Sequence, residues 1–96
     1  MRIKEYYQHY LTLHRNLWNV RLHVLGQLAT LTYVFACLYS QNWLLLILSP
    51  FVVYPFAWSG HYFFEKNKPA AFSTPLYAKI SDWIMFKDYF TGRLKL

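Results

Sequence analysis

Residues 22–64 read LHVLGQLATLTYVFACLYSQNWLLLILSPFVVYPFAWSGHYFF, and no Asp, Glu, Lys or Arg occurs among them. A membrane-crossing helix needs about 20 predominantly apolar residues, so this charge-free run of 43 residues is long enough for two. The polar cluster Ser40-Gln41-Asn42 marks a turn between them. The spans are therefore expected at residues 22–39 and 43–64. Pro50 and Pro55 fall inside the second, where membrane helices tolerate proline if neighbours re-satisfy the freed carbonyls. The rest of the composition agrees. Hydrophobic residues make up 56% and charged residues 15% of 96, too little charge to cover a water-soluble domain of this size. A single cysteine, Cys37, excludes an internal disulfide framework and any multi-thiolate metal site.

All ten Lys and Arg residues lie outside the run: Arg2, Lys4, Arg15 and Arg21 before it, and six from Lys66 onward. The positive-inside rule then places both termini on the cytoplasmic side, in a bacterial inner membrane or the endoplasmic reticulum. The net charge of +6 is best used on membrane lipid headgroups, and its placement argues against nucleic acid. Residues 1–15 lack the apolar core and cleavage site of a signal peptide and read as an interfacial helix, with Tyr6, Tyr7, Tyr10 and Leu13 offered to lipid or to partner helices. Near the other end, Ser73-Thr74-Pro75 is a helix start and Gly92 a helix end. Leu76, Ile80, Trp83, Ile84 and Tyr89 or Phe90 recur between them at helical spacing, giving an amphipathic helix over 75–91. The expected fold is all-α: residues 1–96 form a single membrane domain, a membrane-embedded two-helix hairpin flanked by N- and C-terminal amphipathic interfacial helices.

The chemistry-bearing residues are the histidines. His23 lies 18 residues before Gln41 and His61 lies 20 after it. At about 1.5 Å per residue, an antiparallel hairpin puts both at one mouth. His23 shares a helix face with Gly26, Gln27, Thr30, Val34 and Cys37, and His61 shares one with Pro50, Tyr54, Ala57 and Glu65. Small and polar residues mark helix–helix faces inside membranes, so both histidines point inward. His14 precedes His23 by nine residues and would point the opposite way on one straight helix. A break at Asn16-Leu17-Trp18-Asn19, with Asn19 as N-cap, would let it fold over the mouth. His9 has no such support and reads as interfacial. Three converging imidazoles suggest a metal. Histidines that merely cap helix ends or bond headgroups are the alternative at this point. The chain lacks the His-Glu-x-x-His, Gly-rich phosphate-loop and Gly-x-Ser-x-Gly signatures.

The blocks His14-Arg15-Asn16-Leu17-Trp18-Asn19-Val20-Arg21-Leu22-His23 and Gly60-His61-Tyr62-Phe63-Phe64-Glu65-Lys66-Asn67-Lys68-Pro69-Ala70, with Pro75, Asp82 and Gly92-Arg93 downstream, resemble a family of small membrane proteins. Its characterised member is the fungal iron-dependent 2-hydroxy fatty acid dioxygenase. The resemblance implies Fe(II) as cofactor, a 2-hydroxy long-chain fatty acid as substrate, O₂-dependent removal of one carbon in fatty acid α-oxidation, and His14, His23 and His61 as metal ligands and catalytic residues. The fungal enzyme has extra hydrophobic spans between the two blocks, so for the shorter chain either a homodimer or a different substrate is the expectation.

Three protein ligands leave an octahedral ion room for a hydroxy-acid chelate and O₂. The substrate carboxylate calls for a cation at the mouth, with Arg15, Arg21, Lys66 and Lys68 as candidates. Snorkelling to headgroups is the alternative for each. Glu65, four residues after His61, is expected to orient it, with a fourth ligand or an ion pair to Lys68 as the alternatives. Asn16 and Asn19 are candidates for holding imidazole tautomers or for capping. Asp82 reaches the site only if the last helix folds under the mouth, and otherwise lies on a solvated face. Two rival functions share these residues: a non-catalytic lipid-binding or scaffold protein with structural histidines, and a zinc-dependent lipid hydrolase.

Overall fold

The computed structural model describes residues 2–68 and 74–94, and within them every regular element is helical. Pro69 and Ala70 of the second sequence block and Ser73 of the expected helix start lie outside the described residues. Helix α1 covers Ile3–Thr12 and α2 covers Leu17–Ser40. A broken segment follows: α3 over Trp43–Ile47, a 3₁₀ turn over Ser49–Phe51, α4 over Tyr54–Gly60, and a π-helical turn over His61–Glu65. Helix α5 covers Pro75–Thr91.

The long helix starts five residues earlier than the apolar run suggested. Asn16 is its N-cap, accepting a hydrogen bond from the Trp18 N–H at 2.9 Å, so Asn19 is an interior helical residue and not the cap. An Asx cap needs extended backbone just before the first turn, and Asn16 has it, with ψ at 126°. The break that frees His14 thus spans residues 13–16. Gln41 ends the helix in the left-handed region at φ 56°, and Asn42 caps the next through its side chain and the Leu45 N–H. With 24 residues, α2 is the one helix among those described that is long and apolar enough to cross a membrane.

The expected second span, 43–64, is not one continuous helix. Pro50 and Pro55 cannot donate backbone hydrogen bonds, and their rings clash with the preceding turn; the helix stops and restarts around each. Side-chain donors reach three carbonyls of the broken segment. The Tyr33 hydroxyl donates to the Leu45 carbonyl at 2.6 Å, the Ser59 hydroxyl to the Pro55 carbonyl at 2.6 Å, and the Lys79 ammonium to the Pro50 carbonyl. The segment packs back along α2 through two glycines. A Cβ on Gly26 would stand 2.9 Å from both Phe56 Cβ and Val53 Cγ2, and one on Gly60 would stand 2.0 Å from Asn19 Oδ1.

Helices α1 and α5 pack on each other and on the first half of α2. Tyr6, Tyr7, Tyr10, Val20, Val24, Ala78 and Met85 form the shared core. Tyr7 donates to the Asp88 carboxylate at 2.8 Å, and Tyr6 bonds Thr74. Of the two outlets read for the N-terminal tyrosines, partner helices are the one they use.

The faces of α5 run opposite to an ordinary amphipathic helix. Its inward stripe is Ala78, Ser81, Asp82 and Met85, at helical spacing, whereas Leu76 is 71% and Phe90 59% exposed. Likewise α2 buries Asn19, His23, Gly26, Gln27, Thr30 and Cys37 and turns Leu25, Leu28, Leu31, Phe35 and Leu38 outward. Small side chains permit close backbone approach, and that approach fixes these inner faces. Asp82 accordingly lies inside at 6% exposure, correcting its default placement on a solvated face.

Candidate metal centre

Three chain segments deliver one imidazole each to a common point. His14 stands in the break after α1, His23 in the second turn of α2, and His61 at the junction of α4 with the π-turn. All three are 2% exposed. Their ring centroids are 4.5 to 5.0 Å apart, each pair set edge-on. One ligand atom from each lies within 4.8 Å of the other two. Among the described residues this is the one group of three His, Cys, Asp or Glu side chains close enough to share a metal ion. His9 is exposed and outside it.

The hydrogen bonds around the rings decide which nitrogens face inward. His14 Nδ1 lies 2.7 Å from the Tyr10 carbonyl, and His23 Nδ1 lies 2.9 Å from the Asn19 carbonyl. A carbonyl only accepts, so both Nδ1 atoms carry the proton. Each carbonyl belongs to the residue four positions upstream, a bond that the chain makes locally. His61 Nδ1 lies 2.6 Å from Asn67 Oδ1, and Asn67 Nδ2 donates to the Leu13 carbonyl at 3.1 Å. That second bond fixes which end of the amide is the oxygen, so His61 Nδ1 is a donor as well.

All three Nε2 atoms therefore present lone pairs to one another, and His14 Nε2 and His23 Nε2 are 3.2 Å apart. Two lone pairs at that distance repel unless a cation lies between them. A proton is a poor candidate. Burial, then the neighbouring His23, push the His14 pKa down to about 2, so the imidazole is neutral across the physiological range. A divalent transition metal fits between His14 and His23, because bonds of about 2.1 Å to imidazole nitrogens place those nitrogens roughly 3 to 3.5 Å apart, and His61 brings a third ligand atom within 4.8 Å of both. Neutral imidazole with its Nδ1–H held by an oxygen is the usual form of a metal-ligating histidine.

Sequence reasoning does not single out Asn67, because Glu65-Lys66-Asn67-Lys68 reads as a charged break. Its place follows from backbone geometry. Lys66 takes left-handed φ of 59°, and the Asn67 N–H bonds back to the His61 carbonyl at 3.2 Å. The sharp exit from the π-turn swings Asn67 under His61. The available signal is Asn67's membership of the second sequence block. Tyr10, expected only to meet lipid or a partner helix, also serves the site. It holds His14 twice, through its carbonyl and through a stacked ring 4.0 Å away.

The other candidates sort by position. Glu65 is half-buried and accepts from the Asn16 backbone N–H, so it ties the π-turn to the start of α2 and is not in the ligand cluster. Asn16 caps α2. Asn19 is fully buried, lends its carbonyl to His23, and packs its amide against Gly60. Asp82 faces the interior between Tyr10 of α1 and Gln27 of α2, and burial raises its carboxyl pKa to about 7 against the opposing pull of Lys79 and Gln27. Arg15, Arg21, Lys66 and Lys68 are all exposed, and the Arg21 guanidinium lies over the Trp18 ring at 4.9 Å.

No curated protein and no solved structure matches the chain. The sequence pattern of one family does, over residues 1–94, and it covers all three histidines and Asn67. The chain belongs to the Mpo1-like family, described as 2-hydroxy-palmitic acid dioxygenase Mpo1-like.

Proposed function

We propose that this protein is a membrane-embedded, Fe(II)-dependent dioxygenase that removes one carbon from long-chain 2-hydroxy fatty acids. The observation that carries the reading is the inward convergence of three neutral Nε2 lone pairs, each ring held by an oxygen acceptor, in a member of this family. The overall reaction balances without another reductant: a 2-hydroxy acid and O₂ give the acid shortened by one carbon, CO₂ and water. Iron held by His14, His23 and His61 would supply O₂ activation and an attachment point for a hydroxy-acid head group. The chain's own residues do the rest. The carbonyls of Tyr10 and Asn19 and the side chain of Asn67 keep the three rings in one tautomer. Burial of the triad excludes bulk water.

The exterior supports the membrane setting. Leu25, Leu28, Leu31, Phe35, Trp43, Leu44, Ile47 and Phe51 are all exposed, and exposed large apolar side chains in such number mark a membrane or protein contact. We read α2 as one crossing and the broken segment as the return, with both termini cytoplasmic. A homodimer would thicken the walls around an acyl chain.

The deciding experiment is metal analysis of protein purified in detergent, together with O₂ consumption. Iron is expected, and 2-hydroxypalmitate should consume O₂ without 2-oxoglutarate while palmitate does not. His14→Ala, His23→Ala and His61→Ala should each lose metal and turnover, and His9→Ala should lose neither. Zinc with hydrolase activity, or no metal at all, would refute the reading.

A further inference from the structure

Beside the triad lies a set of buried polar atoms that are left, among the described residues, without a well-formed hydrogen bond. Gln27 is fully buried on α2, and neither its amide nitrogen nor its amide oxygen makes a hydrogen bond of ordinary geometry to the described residues, the Asp82 carboxyl being the group that faces it. Facing it on α5, Asp82 has an unpartnered Oδ1, and the adjacent Ser81 hydroxyl is buried and unpartnered. Buried polar groups in native proteins almost always have a protein, water or ligand partner, so a cluster of them points to something that binds there.

The cluster abuts the triad from two sides. Gln27 follows His23 by one helical turn, a spacing that puts side chains about 5 to 6 Å apart. Long side chains on a helix lean toward its N-terminus, which carries the Gln27 amide toward His23. From the other side, Tyr10 stacks on His14 and lies within electrostatic reach of Asp82.

The donor inventory then selects the ligand. Gln27 offers amide N–H groups and Ser81 an O–H. Asp82, whose carboxyl holds its proton up to about pH 7, offers a second O–H. Arg15, Arg21, Lys66 and Lys68 are exposed, and the Lys79 ammonium, although within electrostatic reach of Asp82, spends its hydrogen bond on the Pro50 carbonyl and lies over the Tyr54 ring. Convergent neutral donors in an apolar setting suit an anionic acceptor such as a carboxylate. They also avoid the desolvation cost that a free buried ammonium or guanidinium would carry.

We propose that Gln27, Ser81 and Asp82 form a neutral donor cradle that binds the carboxylate of a long-chain 2-hydroxy acid, an inference that rests on reading the triad as the site of that acid's oxidation. The cradle replaces a surface cation as the element that recognises the acid head group.

The test is anaerobic binding of 2-hydroxypalmitate to the iron-loaded full chain in detergent, with hexadecane-1,2-diol as a probe that lacks the carboxylate. Gln27→Leu should weaken 2-hydroxypalmitate binding by about 10- to 100-fold, the range for a lost hydrogen bond to a charged group, and leave diol binding within about threefold. Gln27→Glu has nearly the same shape and should show the same selective loss, which keeps the test open if the leucine variant fails to fold. Asp82→Leu removes the second donor and should show the same selective loss of acid over diol. Iron content should match wild type in all three. Unchanged acid affinity in the Gln27 variants, or equal loss of acid and diol, overturns the cradle while leaving the proposed function standing. Iron-loaded wild type that neither binds nor oxidises 2-hydroxypalmitate overturns both.

Discussion

Replacing Asn67 with alanine removes two hydrogen bonds that meet at the metal centre from outside. His61 Nδ1 loses its acceptor at 2.6 Å, and the Leu13 carbonyl loses its donor at 3.1 Å. The first loss frees His61 to take the other tautomer, in which Nε2 carries the proton and no longer presents a lone pair. The second loosens the break that carries His14. Removing an outer partner of a ligating histidine typically lowers metal affinity by about 10- to 100-fold, or about 1.4 to 2.7 kcal/mol. The leftover polar groups should cost the apo protein about 1 to 3 kcal/mol. Asn67→Asp separates the two effects, because its carboxylate still accepts from His61 Nδ1 but cannot donate to Leu13. We expect metal affinity to fall in the order wild type or Asp, then Ala, measured by Co(II) titration against a competing chelator in detergent. The visible Co(II) bands should shift for Asn67→Ala. If Asn67→Ala binds Co(II) as tightly as wild type with an unchanged spectrum, the amide does not hold the His61 tautomer, and the reading of three matched imidazoles fails.

Gly60→Ala should destabilise the protein by about 1 to 3 kcal/mol through overpacking, because the new Cβ would meet Asn19 Oδ1 at 2.0 Å and the Asn19 backbone at 3.2 Å. Chemical denaturation should show it, and Asn19→Ala in the same chain should recover only part, since the close approach to the residue 19 backbone remains. Asp82→Asn should stabilise the protein, and more so at pH 7 than at pH 5. The carboxyl's raised folded-state pKa of about 7 makes ionisation favour the unfolded chain above the unfolded value of 3.8 and increasingly up to pH 7, so the gap between variant and wild type should widen by about 2 kcal/mol over those two pH units. Equal gaps at the two pH values would mean that the folded carboxyl titrates normally. Single cysteines introduced in a Cys37→Ala background should label from the cytoplasmic side near Arg2 and from the opposite side near Gln41. Labelling of both from one side would remove the two-crossing topology.

Much of the site is legible in the sequence. Helical faces are a local property, so the stripe His23, Gly26, Gln27, Thr30, Val34 and Cys37 can be assigned inward from spacing alone; Val34 is half-buried and the other five are buried. Depth is arithmetic along a helix, so His23 and His61 can be matched across the turn at Gln41. What is not legible depends on backbone departures from ideal helix. Two prolines that membrane helices tolerate in isolation break the second segment into α3, a 3₁₀ turn and α4. A π-turn and the left-handed Lys66 then rotate Asn67 beneath His61. No periodicity in the sequence encodes those angles. The inner face of α5 escapes for a related reason: the helical repeat of large apolar side chains marks one stripe, whereas close packing selects Ala78, Ser81 and Met85.

The sequence by itself determined that the chain is helical, that its apolar stretch is long enough for membrane crossing, and that His23 and His61 share one depth and inward faces, His14 joining them through the motif resemblance. Composition, charge placement and local spacing are one-dimensional facts, and they suffice for that. The tertiary structure decided the chemistry of the triad. Only the placement of the Tyr10 and Asn19 carbonyls and the Asn67 amide fixes which nitrogen of each ring carries a proton, and so turns three nearby imidazoles into three lone pairs aimed at one point. It also decided that Asp82 and Gln27 face each other inside, because the packing of α5 on α1 and α2 joins residues more than 50 positions apart, which no local pattern encodes.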